Sequence, residues 1–262
     1  MRIRDGVPKD RNSWGKGITK GDYLLLGTGL FFFLLSGMVW FFVEKGTRWE
    51  SLETWIVAWT GGKQARGVVW YAATTLSDLG HGLFLGALLW NLWIWGMNRE
   101  RLQEGILWLL FSGLACSFLK FLVDRDRPFG AGPHSWPSGH SAAVFSMALF
   151  LGKGCRRPWA ALYLFLSVLV GGSRVFHLRH YPSDVLGGFG LAALLGPLVR
   201  RIPPFFPKAL EERFPRQVAL GIGLFVFLVG VQGMPQRPDP SVGFVGILLF
   251  LGLSGLFQEK GA

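Results

Sequence analysis

Apolar stretches separated by short connectors recur along this chain of 262 residues. Each approaches the roughly 20 residues that a helix needs to cross a ~30 Å hydrocarbon layer, and the pattern favours a polytopic, all-α membrane bundle. Half of the residues are hydrophobic, and the 23 Phe and 12 Trp exceed what a soluble domain of this size needs. We expect eight spanning helices, over residues 22–43, 79–97, 104–123, 138–152, 158–173, 184–200, 217–233 and 242–258.

The segment 50–76 is apolar but is not expected to form a ninth crossing. Gly61, Gly62, Lys63 and Arg66 interrupt it, and tryptophans are scattered along it. Because tryptophan favours the headgroup level of a bilayer, we expect short interfacial helices here, between the first and second spans.

The net charge of +11 is placed in a way that indicates topology rather than nucleic-acid binding. Basic residues precede the first span and lie in every second connector after it. By the positive-inside rule these segments are cytoplasmic, so both termini face the cytoplasm of an integral cell (inner) membrane protein. The residues are Arg2, Arg4, Lys9, Arg11, Lys16, Lys20, Arg99, Arg101, Lys153, Arg156, Arg157, Arg200, Arg201, Lys208, Arg213 and Arg216.

The chain divides into four parts. The first predicted helix is too long for the apolar part of a secretory signal, so we expect it to be retained as an anchor. Four prolines within 202–216 mark a linker. Glycines and alanines in 186–196 are spaced for close helix packing. The parts are a basic cytoplasmic segment (1–21), a six-helix core (22–200), a cytoplasmic linker (201–216) and a two-helix hairpin (217–262).

Three polar clusters lie at ends of the predicted spans, and the charge argument puts all of them on the outer or periplasmic face. Charged groups beside apolar spans are costly, so each cluster is a functional candidate. The clusters are KFLVDRDRP (residues 120–128), WPSGHS (136–141) and SRVFHLRHYPSD (173–184).

Taken singly, these residues have structural explanations. Lys120 can extend from a helix end to the membrane surface, and Arg127 and Arg174 can pair with Asp124 or Asp126. Together, three cations, a helix N-terminus and two histidines at one face form a site for a multiply charged anion such as phosphate. One neutral histidine could attack phosphorus and a protonated one could supply the leaving group's proton, with Asp184 orienting His180 from one helical turn away.

The three clusters resemble the signature of the type-2 phosphatidic acid phosphatase and vanadium haloperoxidase superfamily. The first motif, lysine, six residues, then arginine-proline, is matched by Lys120 to Pro128, and proline-serine-glycine-histidine by Pro137 to His140. The third, serine-arginine, five residues, histidine, three residues, aspartate, is matched by Ser173 to Asp184. The resemblance covers about residues 50–200.

The resemblance implies a six-helix phosphatase core and assigns roles within it. His180 is the implied nucleophile, which forms a phosphohistidine; His140 is the general acid, and Asp184 orients His180. No metal and no cofactor are implied. The residues implied to bind the phosphoryl oxygens are Lys120, Arg127, Ser138, Gly139 and Arg174.

Residues outside the three motifs are weaker candidates for a substrate entrance. The segment SDLGHG (77–82) is similar to a family stretch at the start of the second helix, but His81 stands where the family often has an acidic residue. Asp78 and His81 are therefore either entrance residues or a structural cluster. His134 and Arg179 are further candidates for headgroup contact.

The expected function is a metal-independent lipid phosphatase that removes a terminal phosphate on the outer face. Substrates consistent with the resemblance are undecaprenyl diphosphate, phosphatidylglycerophosphate, phosphatidate and lipid A. Three alternatives stay open: a lipid-to-lipid phosphotransferase with the same site, a haloperoxidase, and an anion transporter. Eight spans argue against the haloperoxidase, and cations confined to one end argue against the transporter. The oligomeric state is not indicated.

Overall fold

The computed structural model describes residues 18–44, 48–60, 68–94, 97–130, 132–153 and 157–205. Within these ranges the chain forms eight α-helices and one 3₁₀ turn, Pro128–Gly130, which confirms the all-α prediction. The predicted hairpin, most of the linker and most of the basic N-terminal segment lie outside the described residues. The helices are α1 (Lys20–Glu44), α2 (Arg48–Thr60), α3 (Val68–Asp78), α4 (Gly82–Ile94), α5 (Arg99–Val123), α6 (Gly139–Gly152), α7 (Arg157–Phe176) and α8 (Pro182–Val199).

Four of the described helices are long and apolar enough to cross a membrane: α1, α5, α7 and α8. Their outward faces carry large apolar side chains, as Leu114, Phe118 and Phe121 do along one side of α5. Such faces suit contact with lipid rather than with water. The described part of the chain therefore has the surface of a membrane bundle.

Two of the predicted spans are shorter in the structure than full crossings. Helix α4 has 13 residues instead of the 19 in the predicted span 79–97, and α6 has 14. At 1.5 Å per residue each is about 20 Å long. The α3–α4 connection explains the late start of α4, because the N–H groups of Gly80 and His81 donate to the carbonyls of Ser77 and Asp78 in a tight turn.

Two short helices, α2 and α3, occupy the segment predicted to hold interfacial helices. Helix α2 packs against α1 and α7, and α3 packs against α7. Trp55 and Trp59 stack with ring centroids 6.2 Å apart on an exposed side of α2. The packing brings α2 close to the end of the bundle where the polar clusters lie.

Glycines allow α1 and α8 to pack with their backbones in contact. A Cβ atom on Gly29 would lie 2.9 Å from the Gly190 carbonyl oxygen, and one on Gly190 would lie 2.5 Å from the Phe33 nitrogen. Side chains at these positions would therefore push the helices apart. The prediction of close packing by residues 186–196 is confirmed.

We expect Gly190→Ala to destabilise the bundle by ~1–3 kcal/mol, because the added methyl group meets rigid backbone. Thermal unfolding of the detergent-solubilised protein would measure the change. Gly27→Ala is the matched control, since a Cβ at Gly27 meets nothing within 4 Å and alanine favours helix over glycine. Equal effects of the two substitutions would contradict the packing argument.

A cluster of ion pairs shows which helix ends lie together. Arg200 Nη1, just after α8, contacts Asp22 Oδ1 in α1 at 2.6 Å, and its Nε lies 3.4 Å from Glu104 Oε1 in α5. Lys153 Nζ, at the end of α6, contacts the same Glu104 oxygen at 3.2 Å. The first turns of α1 and α5 therefore meet the last turns of α6 and α8. The opposite end of the bundle holds the end of α5 and the starts of α6 and α8.

Candidate active site

The end of α5 and the loop after it carry the first motif. Asp124 closes α5 in a left-handed conformation (φ 45°), and its N–H donates to the Lys120 carbonyl at 3.0 Å. Lys120 Nζ reaches back over the loop and donates to the His134 carbonyl at 2.8 Å. Arg127, held by a 2.8 Å bond from its N–H to the Gly132 carbonyl, is half-buried in the same loop.

The second motif forms the start of α6. Ser138 is the N-cap of α6, and its Oγ accepts from the Ser141 N–H at 3.4 Å and from Ser141 Oγ at 2.9 Å. The Ser138 N–H donates to the Asp184 carbonyl at 2.9 Å, which ties α6 to α8. Gly139 and His140 are the first two residues of α6, where backbone N–H groups have no intrahelical acceptor.

The third motif places a histidine and an aspartate in contact at the start of α8. His180 is 2% exposed, and its Nδ1 lies 3.5 Å from Asp184 Oδ2. This distance is longer than the roughly 2.7–3.2 Å of a formed hydrogen bond. Pro182 fits the first turn of α8, so the helix begins where Asp184 can accept from the Tyr181 N–H at 2.8 Å.

Asp184 is fully buried and makes more contacts than the sequence indicated. Its Oδ1 accepts from Arg125 Nη1 at 2.6 Å, and its Oδ2 accepts from Ser135 Oγ as well as from the Tyr181 N–H. Both carboxylate oxygens therefore have donors in addition to the nearby His180 ring. This arrangement fixes the plane of the carboxylate.

Arg125 and Glu53 are the residues that sequence reasoning missed. Arg125 lies within the unspecified stretch of the first motif, between two aspartates that suggest a local pairing. It is 7% exposed and instead joins Asp184 to Glu53 in α2, with Nη2 2.7 Å from Glu53 Oε2. The sequence contains one indication of this contact, because Glu53 is an acidic residue in an apolar, tryptophan-rich segment.

Two guanidinium groups in the site have unpaired N–H groups. The Nε atoms of Arg127 and Arg174 are buried and find no acceptor among the described residues. Arg174 Nη1 donates to Ser77 Oγ at the end of α3, while Asp124 pairs with His134 Nδ1 at 2.9 Å. The described contacts of Arg174 and Asp124 thus differ from the predicted surface network.

Burial and neighbouring charge shape the ionisation of the loop residues. Burial lowers the pKa of His180 to about 4, an effect that the Asp184 carboxylate partly opposes. The His180 ring is therefore neutral at pH 7. Burial also lowers the pKa of Arg127, with a further contribution from the positive charge of Arg179.

The predicted entrance residues lie around this centre. The His81 ring meets the His140 ring edge to face with centroids 5.9 Å apart, and the His81 N–H donates to the Asp78 carbonyl at 2.9 Å. His81 and Arg179 are exposed, and His134 lies at the surface beside Asp124. The structure thus brings His81 to one of the two motif histidines, His140.

Comparison with known proteins gives the family. The model of the PAP2 superfamily matches residues 105–208. A lipid A 1-phosphatase from Porphyromonas gingivalis is 40% identical over 82 residues, 30% of this chain and 18% of that protein, so the match spans well under two thirds of the relative. Phosphatidylglycerophosphatase B from Bacillus subtilis is 35% identical over 163 residues, 55% of this chain and 75% of that protein.

A solved structure agrees with this assignment. The transmembrane PAP2-type phosphatidylglycerolphosphate phosphatase from Bacillus subtilis superposes with a TM-score of 0.56 at 25% identity, covering 74% of this chain and 98% of that one. The residues matched by the family, 105–208, contain all three motifs. The chain is thus an integral membrane protein that belongs to the PAP2 superfamily.

Proposed function

We propose that this protein is an integral-membrane lipid phosphatase that removes a terminal phosphate from a lipid phosphate or diphosphate. The observation that carries the proposal concerns Arg127 and Arg174 beside the buried His180 and Asp184: their buried Nε–H groups find no acceptor in the described part of the chain. Buried donors without acceptors are costly, and a phosphate group would satisfy them. The relatives named above are phosphatases of lipid A and of phosphatidylglycerophosphate.

A phosphoryl group would be held from three sides. Lys120, Arg127 and Arg174 supply positive charge, and the start of α6 at Ser138 and Gly139 supplies backbone N–H groups. The same donors would stabilise the extra negative charge of a pentacoordinate transition state.

Two histidines divide the chemistry. His180 Nδ1 faces Asp184, so Nε2 is the nitrogen that attacks phosphorus. As the Nε2–P bond forms and the P–O bond to the lipid breaks, His140 donates its proton to the departing oxygen. Water then attacks the phosphohistidine, gives a proton to His140, and releases phosphate from His180.

Inorganic phosphate released by the purified full-length protein in detergent tests the function. We expect release from at least one of undecaprenyl diphosphate, phosphatidylglycerophosphate, phosphatidate and lipid A, and inhibition by vanadate, which mimics the transition state. Arg174→Met should weaken vanadate inhibition by about tenfold or more, the effect of losing a hydrogen bond to a charged group. No release from any of the four lipids would contradict the proposal, and label passed to a second lipid without release would indicate a phosphotransferase.

The proposed location of the site is the outer or periplasmic face. Arg200 and Lys153 lie at the end of the bundle opposite to His180, in agreement with basic, cytoplasmic connectors there. A topology reporter fused near residue 155 should therefore read cytoplasmic, and one fused near residue 130 external. The reverse pattern would put the site on the cytoplasmic face.

A further inference from the structure

Arg125 forms a buried bridge between two carboxylates from different helices. Its Nη1 lies 2.6 Å from Asp184 Oδ1 in α8, and its Nη2 lies 2.7 Å from Glu53 Oε2 in α2. Nη1 also donates to Ser183 Oγ at 2.7 Å, and the guanidinium carbon lies 4.3 Å from the centre of the Tyr181 ring. The guanidinium group is therefore fixed by four neighbours.

The bridge leaves Asp184 one orientation. With Oδ1 bound by Arg125, Oδ2 is the oxygen that accepts from Ser135 Oγ and the Tyr181 N–H and faces His180 Nδ1. Rotation of this fully buried carboxylate would break these bonds, and each lost bond to a buried charged group is costly.

Glu53 completes the bridge from outside the three motifs. Its side chain is buried at 4% exposure, and its second oxygen, Oε1, accepts from the Ser183 N–H at 2.8 Å. One carboxylate thus balances the charge of Arg125 and also binds the first turn of α8. Helix α2 is thereby tied to the residue next to Asp184.

We propose that Arg125 and Glu53 are positioning residues that hold Asp184 in the orientation required to present His180 for attack. The proposal rests on the proposed function, because it assigns a purpose to the His180–Asp184 contact. It adds α2 to the parts of the chain on which the reaction depends.

The bridge also sets the charge around His180. The charged and titratable groups that face this ring are Asp184 on α8, Arg174 on α7, Lys120 on α5 and His140 on α6, with Arg125 and Glu53 behind Asp184. Removal of Arg125 leaves the Asp184 charge uncompensated, which raises the pKa of His180. Because His180 must be neutral to attack, the variant should lose activity on acidification at a higher pH than the wild type does.

The test compares Arg125→Met, Arg125→Lys and Glu53→Gln in the full-length protein, with release of phosphate from its best lipid substrate as the readout. For Arg125→Met we expect a fall in kcat of about 10²-fold, the effect of a misplaced reacting group. We also expect the acidic limb of the pH profile of kcat/KM, the range in which activity falls on acidification, to move up by about one pH unit. Arg125→Lys should restore the position of that limb, and Glu53→Gln should lower kcat without moving the limb upward.

Arg200→Met is the matched control, because Arg200 also contacts two carboxylates but at the other end of the bundle. It should lower the unfolding temperature without moving the acidic limb. The proposal is overturned if Arg125→Met retains the wild-type limb and kcat, or if Arg200→Met shifts the limb equally. Failure of the proposed function would look different, since the wild-type protein itself would then release no phosphate.

Discussion

Replacing His180 with alanine is expected to reduce phosphate release to background, because the substitution removes the imidazole that forms the proposed covalent intermediate. In a serine protease, loss of the nucleophile lowers kcat by about 10⁶-fold. His180 is nearly fully buried beside Asp184, and its neutral state at pH 7 suits it to attack. Protein incubated with phosphate-labelled lipid and denatured at alkaline pH, where a phosphohistidine is stable, should carry label in the wild type and none in His180→Ala.

A neighbouring histidine provides the control for this experiment. His177 lies three residues away on the same connector, with its ring 4.5 Å from the Trp70 ring. His177→Ala should retain the labelled protein intermediate. Full turnover by purified His180→Ala protein would rule out the phosphohistidine mechanism.

Asp184→Asn is expected to have the second largest effect, about 10⁴-fold in kcat. An asparagine keeps the shape but presents an amide to the histidine, so the ring no longer has a carboxylate to orient it and to stabilise its positive charge. The substitution also removes one partner of the buried pair with Arg125. Breaking such a pair costs ~3–5 kcal/mol, so the unfolding temperature should fall as well.

Asp22→Asn separates the two effects of Asp184→Asn. Asp22 is the carboxylate partner of Arg200 at the other end of the bundle, at 2.6 Å. This variant should lose stability and retain turnover per folded molecule. If Asp22→Asn and Asp184→Asn lower kcat equally, the loss is a general consequence of destabilisation and Asp184 has no specific role.

The motif residues could be placed from the sequence because each is fixed by local structure. Ser138 reads as an N-cap from its position before an apolar run, and the cap is present. His180 and Asp184 are four residues apart at the start of α8, a spacing that brings their side chains near each other. Their chemical roles stay predictions until the variants above are measured.

The bridge through Arg125 could not be placed in the same way. Arg125 follows α5 in the chain, Glu53 lies in α2 and Asp184 lies in α8, so 72 and 59 residues separate the arginine from its two partners. No helix or strand spacing relates residues this far apart, so the contact cannot be inferred from a local sequence pattern. The pairs considered from the sequence joined Arg127 or Arg174 to Asp124 or Asp126 and did not include Arg125.

The sequence by itself determined the membrane-bundle class, the ends of the long helices within a few residues, and the three motifs, because helix formation in lipid depends on the length and period of apolar runs. The tertiary structure decided which helix ends meet, how closely α1 and α8 approach at Gly29 and Gly190, and which arginine binds Asp184. These depend on packing between segments far apart in the chain. A charged side chain buried in a bundle takes whichever partner the packing brings near, since an unpaired buried charge is too costly.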